Sequence, residues 1–370
     1  MRKVPTRMLQ AGMKIARPIY DSSGNLLLNS GIVLKREYIA RLQSMLIPSV
    51  YIEDKLIPDI AIEDVIQEET RQEAMNLLKA TQNAVNNGHS EKDAHEAFFV
   101  ASKELYNVLD DIIQQLLGNP DLIVNLTDIR TADNDTFAHS VNVAVLALIS
   151  ALAMGFTRSD LKKLGMGAFL HDLGKIKIPP SILNKQEPLL PEEFSIIKKH
   201  PRDGYELVKS QYLIEPSSCA VVLQHHERIN GKGYPRNLKG EEIHTLTKIC
   251  SIADVYDALT AERPYRSALL PHEALEIMGN NEDEFDLTFL QSFLRHVAAY
   301  PVGTVVGLSS DEIGIVTKNF AGYSSRPRVR VFWTKDLQKV EPYEVNLMER
   351  LNVVIDKVFR EEEVSKLSLF

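Results

Sequence analysis

Residues 1 to about 54 carry short apolar runs split by turn residues. This predicts strands over 13–20, 26–28 and 50–52, with a turn at Ser22-Ser23-Gly24-Asn25. Between them Tyr38, Ile39 and Leu42 fall at helical spacing and predict a helix over 36–45. Two long polar helices follow, over 61–86 and 91–117, broken at Asn86-Asn87-Gly88, with Ser90 and Asp93 as a capping box for the second. Gly118-Asn119-Pro120 stops that helix, and from 121 to about 300 helix follows helix. After Pro301 the period shortens: 302–308, 313–318 and 329–333 predict strands, and 342–365 a terminal helix. The texture divides the chain into 1–54, a small α+β module; 55–118, a helical linker; 119–300, an all-helical domain; and 301–370, a small β module with a terminal helix. The fold class expected is mainly α.

Composition narrows the function classes. Of 370 residues, 44% are hydrophobic and 25% charged, enough for a sizeable core in ordinary globular proportion. A formal net charge of −8 argues against a polymeric nucleic acid as partner, which a basic surface would serve. Cys219 and Cys250 form no CxxC pair and read as buried reduced thiols. No apolar signal core follows Met1-Arg2-Lys3-Val4. The longest apolar stretch, 143–156, is short for a bilayer and reads as a buried core helix, so a cytoplasmic protein without a membrane span is expected.

The candidate chemistry lies in the helical stretch. His171-Asp172 ends an amphipathic run, and an imidazole beside a carboxylate suits a borderline or hard divalent metal. Asp172, with two oxygens, can bridge two ions. Asp135 and His139 are four apart, so one helix can point both at one site. His200, the pair His225-His226, and Asp254 complete eight candidate ligands, with Asp257 one turn beyond Asp254. Lys175, four residues after His171, is placed to offer an ammonium to a phosphate. A single His-Asp pair or a lone helix-end histidine is usually incidental. Eight such groups in one helical segment are a different matter. His89, His95, His244, His272 and His296 have no partner in the set and read as surface or packing residues.

These residues lie in motifs. Phe169-Leu170-His171-Asp172-Leu173-Gly174-Lys175 resembles the signature of the HD superfamily of metal-dependent phosphohydrolases. The run His225-His226-Glu227-Arg228-Ile229-Asn230-Gly231-Lys232-Gly233-Tyr234-Pro235 resembles the HHExxDGxGYP signature of its HD-GYP branch, with Asn230 in place of Asp. The resemblance spans about 119–300. It implies a helical domain hydrolysing cyclic di-GMP, with His139, His171, Asp172, His200, His225, His226 and Asp254 matching metal ligands. It further implies a third-metal position at Asp135, a motif lysine at Lys175, and substrate contacts at Arg263 and Arg266. The implied cofactor is two or three divalent ions, iron foremost and manganese next.

The chemistry expected is attack on the phosphodiester by a metal-bridging hydroxide held by Asp172, with Lys175 stabilising the charge that develops. Linear pGpG would be released first and GMP after a second cut. Arg263 and Arg266 would bind phosphate or guanine. Tyr234 would stack on substrate, although fixing the Gly231/Gly233 loop is an equal reading, and Glu227 would orient a histidine. Two alternatives stay open. One is a catalytically weak cyclic di-GMP receptor or adaptor; the other is a phosphodiesterase preferring 3′,3′-cyclic GMP-AMP. The amphipathic stripes over 61–117 suggest a homodimer, and signalling protein partners are expected alongside it.

Overall fold

The computed structural model describes residues 1–21, 26–45, 47, 49–53, 56–60, 64–87, 91–119, 123, 136–185, 187–261 and 268–366. Its first elements are β1 (Arg2–Pro5), β2 (Ile19–Tyr20), β3 (Leu26–Leu28), α1 (Arg36–Ser44) and β4 (Ser49–Ile52). The helices α2 (Glu68–Asn87), α3 (Glu91–Leu117), α4 (Thr136–Ala153), α5 (Arg158–Leu170), α6 (Pro180–Leu183) and α7 (Pro191–Ile197) come next. Then follow α8 (His200–Val208), α9 (Pro216–Gln224), α10 (Thr245–Thr260), α11 (Pro271–Asn280) and α12 (Leu287–His296). The chain closes with β5 (Val305–Leu308), β6 (Glu312–Lys318), β7 (Arg328–Thr334), β8 (Lys339–Asn346), β9 (Ile355–Val358) and α13 (Glu361–Lys366). The fold is mainly α, with small sheets at both ends of the chain. By contact it forms two units: 1–64 with 123–135 and 295–370, and 65–122 with 136–294.

In the first unit β1 pairs antiparallel with β4 and β2 with β3. The strand expected over 13–20 shrinks to Ile19–Tyr20. Lys14 and Ile15 reach only isolated bridges, to Val33 and Ile52, because this stretch meets two different partners in turn. The Ser22–Asn25 turn lies outside the described residues. The later strands form a five-stranded antiparallel sheet in the order β8-β7-β6-β5-β9. Alternation along these strands feeds two apolar clusters. Ile313, Ile315 and Trp333 pack with Ile57 and Val364, while Val306, Val316, Val331 and Val345 pack together in the second cluster. The helix expected over 342–365 is a correction: that stretch holds the end of β8 and all of β9, and its helix is confined to α13. β8 is a strand because it pairs antiparallel with β7, with Glu344 opposite Arg330 and Val345 opposite Val329.

The second unit is built around α4. By length and apolar composition alone this helix could cross a bilayer, although the sequence stretch 143–156 reads as too short. It is apolar nearly all round because other helices surround it, and it is buried from Val141 to Ala151. Helices α5 and α10 pack on it, and α9 packs on α5. Small residues set those approaches: a Cβ on Gly167 of α5 would lie 2.6 Å from Val221 Cβ of α9, and one on Gly165 would overlap Leu109 of α3. The stripe of α3 that suggested a second copy of the chain is covered by the unit itself, with Leu105, Leu109, Ile112 and Leu116 fully buried. Cys219 and Cys250 are both buried thiols.

One contact decides where the HD-type motif sits. Gly174, in a 3-10 turn over Leu173–Lys177, lies flat against the start of α8. A Cβ there would collide with the His200 carbonyl and lie 2.5 Å from Gly204 N, both backbone atoms that cannot move aside. Gly174→Ala is therefore expected to cost about 3 kcal/mol in urea unfolding. Gly279→Ala, inside α11 with nothing near its Cβ, should instead stabilise by about 0.5 kcal/mol.

Candidate metal centre

Three histidines are aimed by the same local device. A helix leaves its last carbonyls unpaired, and a histidine just beyond can donate Nδ1–H to one of them. His171 caps α5 and meets Ala168 O at 2.7 Å; His200 follows α7 and meets Ile197 O at 2.7 Å; His225 caps α9 and meets Val222 O at 2.9 Å. A carbonyl only accepts, so the proton belongs on Nδ1 and each Nε2 carries a lone pair. Those Nε2 atoms converge.

Around them lie two groups of ligand atoms that share Asp172. In the first, His139 Nε2 of α4 lies 3.3 Å from His171 Nε2, 3.2 Å from Asp254 Oδ1 of α10 and 3.6 Å from Asp172 Oδ2. In the second, His200 Nε2 and His225 Nε2 approach to 3.1 Å, and Asp172 Oδ1 lies 3.4 Å and 4.0 Å from them. His226 Nδ1 stands 3.6 Å from Asp254 Oδ2, and its ligand atom falls in one cluster with those of His200 and His225. Seven of the eight candidate ligands thus meet in one buried place. Asp135 lies outside the described residues.

The donor set fits divalent cations. Burial holds the His200 imidazole down to about 4 and His226 to about 3, and holds His225 well below its usual range, with neighbouring histidine charge adding to the effect on His225. All three are neutral at pH 7, so the lone pairs of His200 and His225 face each other at 3.1 Å. That is repulsive unless a cation lies between them. Asp172 Oδ1, beside that pair, is buried with no hydrogen-bond partner among the described residues. Burial opposes charge on Asp172 and Asp254, yet the Lys175 ammonium beside the first and the hydrogen bond from His139 to the second keep both carboxylates ionised. Burial also opposes the His139 cation, but hydrogen bonds to Asp254 and Asp257 lift it to about 9. A bound metal would displace that proton.

The other expected site residues divide. Lys175 Nζ sits 2.6 Å from Asp172 Oδ2 as an i,i+3 pair on the 3-10 turn, so its charge is shared with the carboxylate. The Tyr234 ring packs on His226 with centroids 4.7 Å apart, and Lys198 Nζ lies 5.5 Å from the Tyr234 ring centroid. Arg263 and Arg266 lie outside the described residues. Glu227 was expected to orient a histidine; instead its buried carboxylate accepts from Arg236 N at 2.7 Å and Leu238 N at 3.0 Å and holds the Gly-rich loop shut. The loop folds back so closely that a Cβ on Gly233 would lie 2.5 Å from Glu227 Cα, and Gly231 has φ +79°. Asn230 keeps a structural use: Oδ1 accepts from Lys232 N, and Nδ2 donates to Asp283.

Asp257, placed one turn beyond Asp254 in the sequence but given no role there, meets His139 Nδ1 with Oδ2 at 2.6 Å. Its spacing, one turn after Asp254, was the available signal.

Residues 119–289 match the family model described as HD domain, and 305–367 match a KOW domain associated with HD domain. The chain is 33% identical over 271 residues to the cyclic di-GMP phosphodiesterase PA4108 of Pseudomonas aeruginosa, covering 73% of this chain and 64% of that protein. It is 37% identical over 169 residues to the cyclic di-GMP phosphodiesterase response regulator RpfG of Xanthomonas campestris, covering 45% of each. To the 3′3′-cGAMP-specific phosphodiesterase 1 of Vibrio cholerae it is 34% identical, covering 45% of this chain and 38% of that one. The chain thus spans between about a third and two thirds of these relatives' lengths.

Glu227→Ala would leave two loop N–H groups without their acceptor. It is expected to lower unfolding stability by about 2–3 kcal/mol in a urea titration.

Proposed function

We propose that this chain, with its HD domain and its cyclic dinucleotide phosphodiesterase relatives, is an HD-GYP-type metal-dependent phosphodiesterase acting on cyclic dinucleotides, with cyclic di-GMP as its substrate. The observation that carries this is the single carboxylate of Asp172, whose two oxygens serve two histidine groups at once. His139, His171 and Asp254 would hold one ion and His200, His225 and His226 the other, with Asp172 common to both. Nitrogen and carboxylate ligands of this kind suit iron and manganese. A third ion would call on Asp135.

Bound divalent ions supply Lewis-acid polarisation of a phosphoryl oxygen and lower the pKa of water. The chain's own groups do the rest. Asp172 sets the spacing of the two groups, and Lys175, held on Asp172 Oδ2, keeps a positive charge beside the position a phosphate would take. Tyr234 packs its ring on His226. Arg263 and Arg266 are assigned to phosphate and guanine recognition. In-line displacement would release the ribose 3′ oxygen and give pGpG, with GMP after a second cut. We place the protein in the cytoplasm, where buried reduced thiols such as Cys219 and Cys250 persist. The similarity to a 3′3′-cGAMP-specific enzyme supports that dinucleotide as a second substrate.

The test is purification under low oxygen, elemental analysis, and incubation with cyclic di-GMP and 3′,3′-cyclic GMP-AMP, with products separated by chromatography. The expected result is bound iron or manganese and pGpG from cyclic di-GMP. Metal-loaded protein that binds cyclic di-GMP and leaves it intact would make the chain a receptor. Asp172→Ala should lose both metal and turnover while its circular dichroism stays helical.

A further inference from the structure

His139 is oriented differently from its partners. His171, His200 and His225 each set Nδ1 on a main-chain carbonyl three residues back, so their own backbone turns aim them. His139 relies on side chains. Its Nδ1 meets Asp257 Oδ2 at 2.6 Å, Asp257 Oδ1 accepts from Asn142 Nδ2 at 3.3 Å, and Asn142 Oδ1 accepts from Arg71 Nη1 at 2.7 Å. Arg71 belongs to α2, 71 residues before Asn142 and outside both motifs. Asn142 and Asp257 are buried, and the Arg71 side chain is only 12% exposed, with Glu68 3.7 Å away on the same helix.

We propose that Arg71 is a positioning residue for His139, acting through Asn142 and Asp257, and that it ties metal retention to helix α2. The polarity of the chain makes the case. A guanidinium can only donate, so it draws the Asn142 carbonyl oxygen towards itself and turns the amide nitrogen to Asp257. A carboxylate that accepts from Asn142 on one oxygen accepts His139 Nδ1–H on the other. That leaves Nε2 as the atom facing Asp172 and Asp254. Without Arg71, the Asn142 amide has no group dictating which way it points. Asp257 then loses a donor, and the hold on His139 slackens. General packing of α2 does not require this directionality. A separate tie, Gln115 Nε2 to Thr70 Oγ1 at 2.8 Å, already fastens α2 to α3.

The inference rests on His139 being a metal ligand, and the experiment separates the two claims. Full-length metal-free protein is titrated with Mn2+, and free Mn2+ is followed by electron paramagnetic resonance. Arg71→Met, Asn142→Leu and Asn142→Asp should each weaken Mn2+ binding about tenfold, the scale of lost outer-sphere partners of a metal ligand. Joining Arg71→Met with Asn142→Leu should weaken it no further, because both cut one chain. Asn142→Asp keeps the acceptor for Arg71 and removes the donor to Asp257, so it decides the matter if Arg71→Met does not fold. Gln115→Ala should lower the thermal midpoint and leave Mn2+ affinity unchanged. Wild-type affinity in Asn142→Asp, or an equal loss in Gln115→Ala, overturns the relay. Wild-type affinity in His139→Ala overturns the metal-centre reading itself.

Discussion

The structure turns on a repulsion that the protein chain alone leaves unresolved. Two neutral imidazoles, His200 and His225, present lone pairs to each other at 3.1 Å, and beside them the buried Oδ1 of Asp172 has no hydrogen-bond partner among the described residues. Grouping electron-rich atoms away from water costs several kcal/mol per uncompensated charge unless a cation is shared between them. The helices are packed tightly enough to hold that arrangement. Much of the second unit can be understood as the scaffold that keeps these groups together.

Two economies of construction do most of the holding. Helix ends supply free carbonyls, and a histidine placed just past each end is turned inward without help from distant residues. Glycines supply close backbone approach: Gly174 against the start of α8 sets the distance between Asp172 and His200, and Gly167 lets α5 meet α9 so that His171 and His225 face one another. In both cases a local feature that is ordinary on its own becomes specific through what it is packed against. Asp254 enters the centre from α10, which packs on α4.

His139 stands apart, since its orientation is set through Asp257 and Asn142 rather than by its own helix. The Gly-rich loop is likewise held from a distance, by the Glu227 carboxylate on two loop N–H groups, with Tyr234 laid over His226 as a result. Parts of the centre therefore depend on residues whose side chains never reach the ligand atoms.

Read alone, the sequence carried the helical class of the central segment and the candidate ligand residues with their spacing, because helical periodicity and residue chemistry are local properties that survive in one dimension. The positions of β3, α1, β4 and the first strands of the C-terminal sheet were legible for the same reason. The length of the 13–20 strand and the strands β8 and β9 were not, since a strand is defined by its partner and 342–365 names no partner. The role of Glu227, the ion pair of Lys175 with Asp172 and the place of Asp257 beside His139 were decided by packing. The first two turn on how one loop and one 3-10 turn fold back on themselves, and the third on α10 packing against α4, with His139 and Asp257 118 residues apart in the chain.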